Sequence, residues 1–264
     1  MSLYTTSLNT GSNGNCFYVG NDDDAVLIDA GLSCKETEAR LARLGLSMQK
    51  VRAIFISHEH SDHIRGLPVL AKKYQLPIYI TSKTHLHGKQ LLPQHLVYGF
   101  SGTSTFNIGN LEVTTFPKLH DAAEPHSFTV KYKDIKIGVF TDIGDHCENL
   151  IRHFKQCHAA FLEANYCEEM LQNGNYPYFL KRRISGGNGH LSNKKALELF
   201  NNHRPDFMSH LFLSHLSREN NCPDLVQRLF NEVANGVEIV VASRLQETPV
   251  YHIGVAQTKL ALAE

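Results

Sequence analysis

Val51-Arg52-Ala53-Ile54-Phe55-Ile56-Ser57-His58-Glu59-His60-Ser61-Asp62-His63 reads in two halves. The first is a mostly apolar run of strand length, as a buried strand requires. The second packs three imidazoles and an aspartate into one short turn. Neutral imidazole nitrogens and ionised carboxylate oxygens suit zinc and similar divalent ions. Beyond them, Gly66-Leu67-Pro68-Val69-Leu70-Ala71-Lys72-Lys73-Tyr74 can open a helix, with Pro68 tolerated in its first turn. The histidines therefore fall on a strand-to-helix loop between two rigid elements. His58 and His60 alternate along extended backbone and can point one way. Asp62 and His63 follow where the chain turns and can reach a second ion.

Strands are expected on both sides of this loop. Upstream they cover 3–8, 16–20 and 25–29, separated by the turn signals Gly11-Ser12-Asn13-Gly14-Asn15 and Asn21-Asp22-Asp23-Asp24. Ser33 and Glu36 fit a capping box that opens a helix ending at Gly45. Downstream, strands are expected at 78–81, 111–116, 127–132, 135–141, 159–163, 208–214 and 237–242. Helices are expected near 148–156, 192–201 and 223–233. This is β meander followed by α, twice, without a linker, so residues 1–264 are expected to form a single domain. Two sheets face to face with helices outside would bury all of it.

Composition narrows the function classes. The 264 residues carry 26 Lys plus Arg and 26 Asp plus Glu, so no global basic footprint announces a nucleic-acid binder. Any polyanion must be attracted locally or through metal ions. The six cysteines form no C-x-x-C pair, which argues against a thiolate zinc site. The first residues show no secretory pattern and no stretch is long and apolar enough for a bilayer. A cytoplasmic protein with reduced thiols and no membrane contact is the expectation.

Metal-competent residues recur where apolar runs stop: Asp29, His120, Asp142, Glu163 and His215. If the strands share one edge, these tips converge on the histidine loop. Asp29, His58-x-His60-x-Asp62-His63, His120, Asp142 and His215 resemble, in order, the five motifs of the metallo-β-lactamase superfamily. Ser12-Asn13-Gly14-Asn15-Cys16, Gly189-His190-Leu191-Ser192-Asn193 and Leu213-Ser214-His215-Leu216-Ser217-Arg218 bring it nearest the WalJ/YycJ-type branch of small bacterial metallo-hydrolases. The resemblance implies an α/β class protein with the αβ/βα four-layer sandwich, two facing mixed β-sheets and a dinuclear site at one edge. It implies His58, His60 and His120 on one ion, Asp62, His63 and His215 on the other, Asp142 bridging, and Asp29 orienting the ligand loop. It also implies a 5′→3′ exonuclease-like phosphodiesterase, with DNA favoured over RNA as partner and a metal-activated hydroxide as nucleophile.

Two Zn²⁺ ions, or Mn²⁺ in their place, would grip a phosphate and supply that nucleophile near neutral pH. The catalytic set is expected to be Asp62, His190 and Glu163, with Glu163 orienting His190 as proton donor to the leaving oxygen. This pair resembles the proton relay of tRNase Z enzymes, in preference to the plainer reading of a helix cap at Ser192 with a neighbouring buried histidine. Ser217, Arg218, Asn220, Asn13 and Asn15 are candidate substrate contacts. Lys181-Arg182-Arg183 and Lys194-Lys195 form the best local basic patch, either tracking a backbone or lying as a solvated face. Asp121, His126 and His146 are left outside the metal sphere. The competing function is hydrolysis of a small thioester, lactone or cyclic nucleotide on the same scaffold. A third is a non-catalytic accessory with structural metals.

Overall fold

The computed structural model describes residues 2–254. In chain order its strands are β1 (Ser2–Asn9), β2 (Cys16–Gly20), β3 (Ala25–Ile28), β4 (Val51–Phe55), β5 (Ile78–Thr81) and β6 (Val97–Phe100). Then follow β7 (Ser104–Ile108), β8 (Leu111–Pro117), β9 (His126–Tyr132), β10 (Ile135–Phe140), β11 (Ala159–Glu163), β12 (His210–Ser214), β13 (Glu238–Val241) and β14 (Tyr251–Gly254). The α-helices are α1 (Cys34–Arg43), α2 (Ser61–Ile64), α3 (Leu67–Tyr74), α4 (Ser82–Gly88) and α5 (Glu148–Phe154). The second half adds α6 (Glu168–Asn173), α7 (Tyr178–Ser185), α8 (Asn193–His203) and α9 (Pro223–Asn231).

The strands form two seven-stranded sheets, β14-β1-β2-β3-β4-β5-β6 and β13-β12-β11-β10-β9-β8-β7. Each begins antiparallel and continues parallel, the switch falling at β3–β4 in one and β10–β11 in the other. Parallel neighbours need crossovers, and the helices supply them on the outer faces. Three apolar layers result. Leu41, Leu67, Leu70 and Ile54 pack between the first sheet and its helices. Leu150, Phe154, Leu199 and Phe230 do the same for the second. Between the sheets, Phe17 lies 4.9 Å from Phe161 and Phe55 lies 5.8 Å from Phe128, ring centre to ring centre. β3 is buried along its whole length because both of its faces are covered. The expected four-layer sandwich of two mixed sheets is therefore the observed fold.

Local chemistry explains most boundaries. Ser33 Oγ accepts from Glu36 N at 3.2 Å and starts α1. The reciprocal half of the expected capping box does not form, because Glu36 turns to Arg40 Nε at 2.6 Å. Ser192 Oγ caps α8 through Lys195 N at 3.2 Å. The elements absent from the sequence reading are α2, α4, α6, α7, β6, β7 and β14. β6 buries only Phe100, β7 only Ile108 and α7 no residue, so none of the three carries a strong apolar stripe.

Candidate metal centre

The C-terminal ends of β3, β4, β10, β11 and β12, with the loop after β8, meet at one edge of the two sheets. They deliver Asp29, the His58–His63 loop, Asp142, Glu163, His215 and His120. The histidine loop is clasped by backbone. Asn15 N donates to Asp62 O at 2.7 Å, Ala30 N to His63 O at 2.7 Å, and Gly66 N to Ala30 O at 2.8 Å. Gly31 sits so close beneath the loop that a Cβ there would lie 1.7 Å from Asp62 O. Only a residue without that atom permits this approach.

Two groups of ligand atoms lie side by side, each within 4.8 Å internally: His58, His60 and His120, and Asp62, His63 and His215. Asp142 spans them. Its Oδ1 is 3.8 Å from His120 Nε2 and 3.4 Å from His215 Nε2, and its Oδ2 is 3.2 Å from His63 Nε2. The far ring nitrogens are held from behind. His58 Nδ1 is 2.9 Å from Ser57 Oγ, His63 Nδ1 is 2.7 Å from Asp29 Oδ2, and His120 Nδ1 is 2.9 Å from Gly189 O. His215 Nδ1 is 3.1 Å from Glu163 Oε1. Each acceptor calls for the proton on Nδ1, which leaves the Nε2 lone pair aimed at the centre. Asp29 fixes the loop twice more, accepting from Ser57 N at 2.8 Å and Ser57 Oγ at 2.9 Å.

Asp29, Asp142 and His215 all adopt left-handed backbone, with φ of 62°, 53° and 58°. That conformation costs a residue with a Cβ roughly 1–2 kcal/mol, so the surrounding fold imposes it. The electrostatics point the same way. Burial works against the Asp142 carboxylate, yet His215 and His63 hold its pKa well below the usual range. Burial also opposes the His215 imidazolium, but Asp142 and Glu163 hold it up to about 10. Burial carries His120 down to about 4, against the pull of Asp142. Asp142 Oδ2 and His215 Nε2 are nevertheless buried without a hydrogen-bond partner. An orphaned carboxylate oxygen beside an orphaned imidazole nitrogen fits divalent cations, which displace the imidazole proton and answer the negative charge.

The pocket above the centre encloses about 390 Å³. His190 stands on its wall, with Nδ1 2.8 Å from Glu163 Oε1. The other oxygen of Glu163 accepts from Ile143 N at 2.7 Å and Leu191 N at 3.1 Å. Burial raises the pKa of that carboxyl, but the two imidazoles of His190 and His215 outweigh it and bring it to about 2. Glu163 is therefore an ionised anchor.

The candidate substrate residues separate. Ser217 lines the pocket. Arg218 does not: it is largely exposed, 3.8 Å from Glu219, and borders a different groove. Asn220 is buried, and its carbonyl accepts from Cys167 N at 2.8 Å. Asn13 turns away to donate to Arg244 O at 2.6 Å. Asn15 is buried beneath the loop, where its amide donates to Asp62 Oδ2 at 3.1 Å, so it positions a ligand rather than a substrate. Of these five, Ser217 belongs to the pocket wall, while Asn13, Asn15, Arg218 and Asn220 lie off it.

His126 binds the carbonyls of Glu124 and Gly102, and His146 that of Lys195, so both stay outside the centre. Asp121 comes nearer than expected. It lies 3.4 Å from His120 Nε2 and 2.5 Å from Arg183 Nε, and it lines the pocket. Ser12, Asn165, Tyr176 and Arg183 also line the pocket. Ser12 belongs to the turn motif and Arg183 to the basic run read from the sequence, Asn165 follows Glu163 closely, but no pattern marks Tyr176. Lys118 was missed as well: it is buried beside the centre, donating to Thr141 O at 2.6 Å.

A profile described as "Beta-lactamase superfamily domain" matches residues 24–215. The chain is 38% identical to "Exodeoxyribonuclease YycJ" of Bacillus anthracis over 238 residues, which is 88% of this chain and 89% of that one. It is 33% identical to "Exodeoxyribonuclease WalJ" of Streptococcus pneumoniae over 86% of this chain and 87% of that one. Among solved structures, the metallo-β-lactamase fold protein YhfI of Bacillus subtilis superposes with a TM-score of 0.73 at 15% identity, covering 95% of this chain and 99% of that one.

Proposed function

The chain belongs to the metallo-β-lactamase superfamily of metal-dependent hydrolases, and from that premise we propose that it is a dinuclear-metal phosphodiesterase that degrades DNA from the 5′ end. The observation that carries the reading is the Glu163–His190 pair, 2.8 Å apart on the wall of the pocket above the ligand cluster. A thioester expels a thiolate without help from an acid, whereas a nucleoside alkoxide needs a proton. The names of the two relatives, both exodeoxyribonucleases, support DNA as the polymer.

In this reading His58, His60 and His120 would hold one ion and Asp62, His63 and His215 the other, with Asp142 between the two sets. Zinc is the first choice, and manganese suits the same oxygen and nitrogen donors. When bound, such a pair grips phosphate oxygens and makes water nucleophilic at neutral pH. The protein does the rest. Glu163 accepts from His190 Nδ1, which turns Nε2 towards the pocket. His190 then delivers a proton to the departing sugar oxygen. Asp29, Ser57 and Asn15 keep the ligand loop from turning as charge develops.

End-labelled single- and double-stranded DNA and RNA, digested with added Zn²⁺ or Mn²⁺, test the reading. The wild-type protein should release nucleotides from the 5′ end of DNA. His63→Ala should abolish release. His190→Ala should slow it by about 10²–10⁴-fold while elemental analysis finds the metal content unchanged. A protein that leaves every polynucleotide intact yet hydrolyses a thioester or lactone overturns the proposal.

A further inference from the structure

α7 folds at the mouth of the metal centre without burying a single residue. Side chains three and four apart share one face of a helix. On one face Leu180, Arg183 and Ile184 line the catalytic pocket. On the other, Tyr178, Lys181 and Arg182 line a second groove of about 540 Å³, shared with Tyr166 and Lys195. The helix is thus a ridge between two concavities. Tyr178 and Phe179 stand on it 74% and 73% exposed. Arg182 faces the Tyr178 ring at 5.9 Å rather than a carboxylate. Glu168, the acidic member of the second groove, is engaged by Ser192 Oγ at 3.0 Å.

Exposed aromatics beside cations have a specific use. Every base offers a π-face, and stacking on aromatic side chains holds unpaired nucleotides without regard to sequence. Cations alongside track the phosphates. With formal net charge of zero, attraction for a polyanion has to be local. Continuity with the catalytic pocket makes α7 the place for it. We propose that α7 is a stacking platform for single-stranded nucleic acid, with bases on Tyr178 and Phe179 and phosphates on Lys181 and Arg182. The strand would cross the ridge from the second groove and feed its end into the pocket, where Arg183 stands. The proposal rests on the nuclease reading above and names how that site takes its substrate. Bases paired inside a duplex stay stacked on one another, so the platform takes unpaired nucleotides, including those at a frayed end.

The test uses metal-loaded protein and a fluorescent oligothymidylate with hydrolysis-resistant phosphorothioate linkages. Tyr178→Ala/Phe179→Ala should weaken binding about tenfold or more, whereas Tyr178→Trp should bind at least as tightly as wild type. Lys181→Ala/Arg182→Ala should flatten the log–log salt slope by about 0.7 for each phosphate no longer neutralised. None of these changes touches the core, and hydrolysis of bis(p-nitrophenyl) phosphate should stay at the wild-type rate in all of them. Unchanged affinity in the aromatic variant overturns the platform, as does weakening confined to the charge variant, which would mark a non-stacking surface. A wild-type protein that binds through Tyr178 but degrades no polynucleotide supports the platform and overturns the nuclease reading. One that neither binds nor degrades overturns both.

Discussion

Three donors converge on the Asp29 carboxylate, from Ser57 N, Ser57 Oγ and His63 Nδ1. None of them is available to an amide nitrogen, so Asp29→Asn must turn one donor against another. The expected outcome is a metal affinity about 10–100-fold weaker, read by competition with a chromophoric chelator. Affinity equal to wild type would remove Asp29 from the site's machinery. The same residue shows why single positions here resist change. Its left-handed φ of 62° is shared in kind by Asp142 and His215, and a substitution at any of the three alters both a donor atom and the strand end that presents it. Sequence reading found these residues because each one stops an apolar run. It missed Tyr176, which reaches the pocket from a loop with no pattern of its own.

At the scale of elements, the helices outside the first sheet are joined by one carboxylate. Glu38 on α1 accepts from Lys73 Nζ at 2.6 Å and Tyr74 Oη at 2.8 Å, both on α3. The Lys73 hydrogen bond is the main cause that brings its pKa down to about 2, with Cys34 and Tyr74 adding to it. A carboxyl depressed by folding stabilises the fold above its unfolded pKa of about 4.3, and that contribution fades as pH falls towards the folded value. The stability gap between wild type and Glu38→Gln, measured by urea titration, should therefore be open at neutral pH and close between about pH 4.3 and 2. A gap independent of pH would show that the pair contributes through packing alone. α1 was legible in sequence from its Ser33 cap and apolar spacing, and α3 from Pro68 in its first turn and its apolar run. α6 and α7 were not, since α6 buries only Leu171 and α7 nothing, which leaves no periodic stripe to read.

At the scale of the whole molecule, one edge gathers buried charge from strand ends in both sheets. Without cations that edge holds orphaned atoms on Asp142 and His215. A ligand that binds only the folded state adds about 2.7 kcal/mol at a hundredfold excess over its dissociation constant. Stripping the metal with a chelator should lower the melting temperature by several degrees, and adding back Zn²⁺ or Mn²⁺ should restore it. A melting curve indifferent to both would mean that the edge holds no ion. The four-layer architecture was readable from the order of strands and helices, because helical crossovers force parallel neighbours. β14 was not readable, since Tyr251–Gly254 is short and mixed in polarity and becomes a strand only through β1.

The pairing of β14 with β1 sets Ser2 opposite Gly254 and Thr5 opposite Tyr251. Protein synthesis delivers Gly254 long after Ser2. While the ribosome is still reading the second sheet, the outer rim of β1 hangs open, a row of unsatisfied amides ready to capture a neighbouring nascent chain. Chaperone dependence and misassembly should therefore concentrate in the interval before residue 254 clears the exit tunnel, and vanish once that last ribbon zips into place.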